Sequence, residues 1–349
     1  MLKARLLFTL LTTSSTTRGA PMVSTDMPLT PHPAGYDEDL RLALEDLLLD
    51  RWLSTKALLA NTRSWALRTS RSQVLAAGAA KGDAIAAWCA EEPGDANALM
   101  MRARVMTHRV VGAHRSTADR HTLLPRVSAA RAACGDAARR WPADPVPWVC
   151  LLALAQLDVD HRQWHSVDHW ANPPEAMLPR GPWPLLWQVD RRDWSNREAY
   201  HRMLQCFQAR GNGAVDFTRW VASQAKPGAV LLNLPLYAYV EDYRMRTAGG
   251  QVASTLGFWT NDQVRHYVEL ARDGWFTYVT DMSTCSLLDL NYLAYTLTAC
   301  GLPGAAEVFT AIGPFATPAP WQHVSESRWW QDDFLQARNY AMKRERYSR

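Results

Sequence analysis

The chain has 349 residues, 48% of them hydrophobic and 21% charged, with a formal net charge of +4. That balance excludes a wholly disordered chain, and no apolar run approaches the length that spans a bilayer. The length accommodates one large domain or two ordinary ones.

The N-terminus, residues 1–35, reads as a disordered leader or a mis-assigned start, with Met22 and Met27 as alternative starts. Lys3 and Arg5 precede Leu6-Leu7-Phe8-Thr9-Leu10-Leu11 in imitation of a signal peptide. The apolar stretch is short and Thr-interrupted, and Arg18-Gly19-Ala20-Pro21 is a poor cleavage context. From Asp37 onward the chain is helical punctuation. Asp37-Glu38-Asp39 puts acids in a first turn, where they complement the helix dipole, and Leu40, Leu44, Leu47 and Leu48 form one apolar face. Further helices are expected over 56–67, 71–80, 83–92, 95–111, 124–141 and 146–157, with Pro142-Ala143-Asp144-Pro145 as a turn. Residues 36–171 are thus N-terminal hairpins.

Residues 172–195 are rich in Pro and Trp. Proline withholds backbone donors and stops helices, so this stretch reads as a rigid connector covering one end of a groove. Helices resume at 196–210, capped by Asn196 and stopped by Gly211-Asn212-Gly213, and continue over 215–224, 230–245, 261–272, 287–300 and 303–312. This second set of hairpins fills 196–325, and 326–349 is a terminal helix or tail. Within it, Leu290, Leu293, Ala294 and Leu297 repeat at helical spacing, Cys300-Gly301-Leu302-Pro303-Gly304 turns the chain, and Ala305, Val308, Phe309 and Ile312 form a second stripe. Small Ala305 and Ala306 permit close approach, and Phe309 fills the gap toward a neighbour. The fold expected is therefore all-α: a tetratricopeptide-like array of stacked helical hairpins. Its core is expected to hold Leu47, Trp88, Leu99, Trp148, Leu152, Leu204, Phe207, Leu293, Leu297 and Phe309.

Pro147-Trp148-Val149-Cys150-Leu151-Leu152-Ala153-Leu154-Ala155 and Arg197-Glu198-Ala199-Tyr200-His201-Arg202-Met203-Leu204, followed by Gln208-Ala209-Arg210-Gly211-Asn212-Gly213, resemble an uncharacterised actinobacterial family of tetratricopeptide-like proteins. The likeness covers about residues 40–320. These are packing motifs, so the resemblance implies a fold and transfers no catalytic residue.

Arg outnumbers Lys by 33 to 5, the signature of a GC-rich genome. The densest basic run, Arg102 to Arg140, carries no RNA- or DNA-binding motif and reads as solvated helix faces rather than a nucleic-acid surface. The 16 tryptophans read first as inter-helix anchors, at Trp52, Trp88, Trp148, Trp220 and Trp275. The six cysteines have neither metal-ligand nor redox-motif spacing, which fits reduced core thiols in a cytoplasm.

Two constellations could carry chemistry. His161, His165 and His169 at i, i+4 and i+8, beside Asp158, place neighbouring imidazoles on one helix face, where a pair could hold Zn²⁺ or Fe²⁺. Asn261, Asp262 and Glu269, with Arg346-Tyr347 near the C-terminus, resemble the second metal motif of class I terpene cyclases. Arg265 stands where that motif needs a hydroxyl, and no upstream aspartate cluster completes it, so a helix cap at Thr260 or Asn261 reads better. No phosphate-cradling glycine loop, nucleophile elbow or zincin motif is present. The expectation is a non-catalytic interaction protein without a cofactor. It binds a peptide or protein partner in a concave groove near Trp183, Trp187, Trp194, Tyr200 and His201. The alternative is an all-α enzyme acting on a small molecule, with a divalent metal on His161, His165 and Asp158 or with an aromatic-lined pocket.

Overall fold

The computed structural model describes residues 28–30, 32–116, 120–157, 169–250, 257–324 and 329–348. Helices make up 71% of it, and no strand occurs among the described residues. The nearest approach to a sheet there is an isolated antiparallel bridge between Ala171 and Gly181.

The elements begin where capping side chains allow. Asp37 accepts the Leu40 N–H at the head of α1 (Glu38–Leu48). The helix expected over 56–67 is two: α2 (Leu53–Asn61) ends, and Ser64 caps α3 (Trp65–Ala79) by accepting from Leu67. After α4 (Ala84–Glu91), Asp95 caps α5 (Ala96–Arg115), which forms a long hairpin with α6 (Arg120–Arg140). The turn at 142–145 leads into α7 (Val146–Ala155), in which every side chain but Trp148 is buried. Asn196 caps α9 (Arg197–Ala209), and α10 (Ala214–Gln224) starts at Gly213 with φ +69. A Cβ on Gly213 would come within 2.5 Å of Pro179 Cγ, so the connector's proline packs directly on this glycine. A 3₁₀ turn, Val230–Asn233, runs into α11 (Leu234–Ala248). Then follow α12 (Asp262–Gly274), α13 (Leu287–Ala299), α14 (Ala305–Ile312), the single turn α15 (Trp321–Val324) and α16 (Trp330–Ser348).

Two further boundaries differ from expectation. The 172–195 stretch contains a helix, α8 (Trp183–Asp190), because Pro184 sits in its first turn, where a missing N–H costs nothing. The described part of the 1–35 segment is packed against the fold: Thr30 N–H donates to Pro314 O at 2.8 Å, and Ala34 is buried.

Successive helices pack on one another. α1, α2 and α3 form a triangle, α3 rests on α5, α7 lies against α5, α6, α8 and α9, and α13 joins α11, α12 and α14. The array also meets its own beginning. Tyr36 packs edge-on against Phe315 with centroids 4.8 Å apart, and a Cβ on Gly35 would lie 2.7 Å from Leu287 Cδ1. Leu47, Trp88, Leu152, Leu204, Phe207, Leu293, Leu297 and Phe309 are buried as expected. Leu99 and Trp148 are half-buried; Trp148 is drawn outward by Arg192, whose guanidinium lies 4.9 Å from its ring centre. No helix among the described residues is long and apolar enough to cross a membrane.

Candidate functional site

Helix α9 is the hub on which the two halves meet. Its apolar face, Ala199, Met203, Cys206 and Phe207, is buried, while its other face carries Arg197, His201, Arg202 and Gln205, all half-buried. Charged groups are buried on either flank. Toward the N-terminal helices, Glu198 is 3% exposed and accepts from Arg104 Nη1 at 2.7 Å and Nη2 at 2.5 Å, and from Arg202 Nη2 at 2.8 Å. Arg104 spends its remaining donors on Ser72 Oγ and Thr69 O. Toward the C-terminal helices, Asp289 is fully buried and accepts from Arg197 Nε and Nη2 and from the Tyr237 hydroxyl at 2.6 Å. A third pair, Arg68 with Asp144, locks α3 to the turn before α7 and lies under the Trp141 ring at 4.7 Å.

The electrostatics follow from this geometry. Burial raises the Glu198 carboxyl, but Arg104 and Arg202 outweigh it and hold its pKa below the usual range. Burial lowers the Arg197 guanidinium, and Asp289 with Tyr237 more than restore it. His201 is neutral: burial, then Arg197 and Arg202, depress its pKa well below 6.5. Its Nε2 lies 3.9 Å from Asp289 Oδ1, beyond a hydrogen bond, and its ring stands edge-on to Tyr237. Asp289 is bound by three donors, two from Arg197 and one from Tyr237, so its charge is committed within the fold.

The second feature is the turn between α8 and α9, residues 191–196. Arg192 Nε donates to Pro142 O at 2.6 Å and Nη1 to Gln188 O at 2.5 Å. Ser195 holds a left-handed φ of +61 and donates its N–H to Asp190 Oδ1. Asn196 Nδ2 reaches Thr69 Oγ1 at 3.1 Å and Asp193 Oδ2 at 2.6 Å. Trp194 is carried at the middle of this tied turn with 75% of its surface exposed. Trp148, under the Arg192 guanidinium of this turn, borders a depression of about 550 Å³ whose lining includes Arg131, His169 and the ion-paired Arg139 and Asp136.

The expected groove residues divide between core and surface. Trp183 is fully buried among Phe207, Phe217 and Trp220, with its indole N–H donated to Pro179 O, so an incoming chain would not touch its ring. Trp187 is 42% exposed and stands on α8, the helix that precedes the turn carrying Trp194. Tyr200 is buried and donates to Asp190 Oδ2, whereas His201 faces Asp289 from another side of the same helix. Asp158, His161 and His165 lie outside the described residues. Among those described, no group of three or more His, Cys, Asp or Glu side chains is gathered as metal ligands would be. Asn261 caps α12, its Oδ1 accepting from Gln263 and Val264; Asp262 is exposed, Glu269 is half-buried, and Arg346 lies on the exposed side of α16. All six cysteines are free thiols.

The buried charges are what sequence reasoning missed. Arg104 was grouped with a basic run on solvated faces, yet it follows Met100 by four residues and precedes Val105, both buried, so it sits on the core-facing side of α5. Glu198 and Arg202 at i, i+4 were a readable pair. Searches against protein-family profiles, curated proteins and solved structures find no match to this chain.

Proposed function

We propose that this chain is a non-catalytic, cytoplasmic interaction protein that binds a peptide or protein partner on the surface formed by Trp148, Trp187 and Trp194. The observation that carries the reading is Trp194. A tryptophan 75% exposed forgoes much of the burial that ordinarily stabilises it. Here the exposed ring sits on a turn fixed by Arg192, Ser195 and Asn196, so little freedom would be lost on docking. Exposed Trp beside Arg is the composition of interface hot spots, and Arg192, stacked on Trp148 and bonded to neutral oxygens, favours a partner segment with acidic residues. The row Arg197, His201, Arg202 on α9 contributes positioning, since its charges are already spent within the fold. The tetratricopeptide-like ancestry suggested by the packing motifs agrees with this reading, as does the set of free thiols with a reducing compartment.

The test is site-specific photo-crosslinking in the native cell, with the crosslinker at position 194 and, as a control, at exposed Thr277. A discrete adduct at 194 that is absent at 277, and lost from Trp187→Ala, is the expected result. An absence of adducts at 194, together with turnover of a metabolite by the purified protein, would reverse the reading.

A further inference from the structure

A second site is written into the far side of the C-terminal half. A cavity of about 300 Å³ opens among α10, α11 and α12, with Arg219, Asp242, Arg246, Phe258 and Gln263 in its lining. We infer that this cavity binds a small oxyanion-bearing molecule whose carboxylate or phosphate bridges Arg219 and Arg246.

The argument rests on how the two guanidinium groups are held. Arg219 is oriented by neutral acceptors alone: Nε donates to the Tyr239 hydroxyl at 3.1 Å and Nη2 to Gln263 Oε1 at 2.6 Å. Its plane lies over the Tyr239 ring at 5.7 Å, and no carboxylate among the described residues pairs with it. Arg246 is held by a fork to Asp242, with Nε at 2.9 Å and Nη2 at 2.8 Å, and lies 5.3 Å from the Phe258 ring centre. Among the described residues, the Nη1 group of each arginine has no acceptor. Two cations share the cavity lining with one anion, and both are fixed before any ligand arrives. Each guanidinium thus presents its Nη1 donors to an incoming oxyanion, and charge-assisted hydrogen bonds of this kind are the strong ones. The end of α12 adds little, because Asn261 Oδ1 already takes the Gln263 and Val264 N–H groups, and Asp262 is exposed in that first turn. The volume lies at the lower bound of ligand cavities, which fits a headgroup with a short carbon skeleton against Phe258 and Val264.

The experiment is isothermal titration calorimetry of the full chain with inorganic phosphate and, separately, with succinate. Saturable binding of at least one probe below about 10 mM is expected, and the probe that binds tells phosphate from carboxylate chemistry. Arg219→Gln should weaken that binding about tenfold or more with the circular dichroism spectrum unchanged. Asp242→Asn removes the competing carboxylate and should tighten binding several-fold, a gain that misfolding cannot mimic. No saturable binding of either probe overturns the inference, and so does an affinity that both substitutions leave unchanged.

Discussion

Burial, with added repulsion from Asp193, raises the Asp190 carboxyl to about 6 despite the bonds it accepts from Tyr200 and Ser195, whereas the unfolded chain titrates near 3.8. Between those values the fold binds a proton that the unfolded chain does not. Stability from this group is therefore fully present below about pH 4 and is lost as pH rises through 6. Asp190→Asn should stabilise the protein at pH 7.5 by roughly 1–3 kcal/mol and lose that advantage near pH 4, as urea titrations across this range would show. His201 acts in the opposite sense. It is neutral in the fold, so the unfolded chain takes up its proton first, and the contribution is lost as pH falls below 6.5. His201→Gln should remove that acid-side loss. Removing Glu198 leaves Arg104 buried without a counter-charge; Glu198→Gln is expected to lower stability by about 3–5 kcal/mol in the same titrations.

Helix ends were legible where a capping side chain coincides with a break in the apolar pattern. Asp37, Asp95, Asn196 and Asn261 all cap the helices that their positions announce, and Gly211 and Gly213 separate α9 from α10. The break between α2 and α3 was missed because Leu58, Leu59 and Leu67 continue an apolar pattern across it, and only Ser64 signals the restart. α8 was missed because proline density was read as exclusion of helix, although Pro184 stands at a first-turn position that tolerates it. Of the candidate surface, Trp187 and Trp194 could be named from composition. Their separation from Trp183 could not, since all three share one short stretch and only packing against Phe207 and Phe217 buries the first. Asn196 offers a test at this scale. Asn196→Ala loses both the α9 cap and the bond to Thr69 and should cost about 2 kcal/mol or more. Asn196→Ser, which retains a capping oxygen, should recover roughly half in thermal melts.

In the whole molecule, the contacts of Thr30 and Tyr36 with the loop after α14 join parts of the chain that no local pattern relates. Periodicity reports which face of a helix is apolar and is silent on which distant segment covers it. A chain begun at Asp37 should therefore fold but exchange its amide hydrogens faster in α13 and α14 than the full chain, with α5 and α6 unaffected. Equal protection in both chains would mean that the contact contributes nothing.

That contact also bears on how such a protein can change over generations. An open stack of helical pairs grows by duplicating a unit, because each unit touches only its neighbours and a new one simply lengthens the row. Here the Tyr36–Phe315 and Gly35–Leu287 contacts tie the residues just ahead of α1 to α13 and to the loop after α14. An inserted pair would have to spread these contacts apart, so the number of helices is fixed by the seam. Variation is left to the loops and to surface side chains such as Trp194.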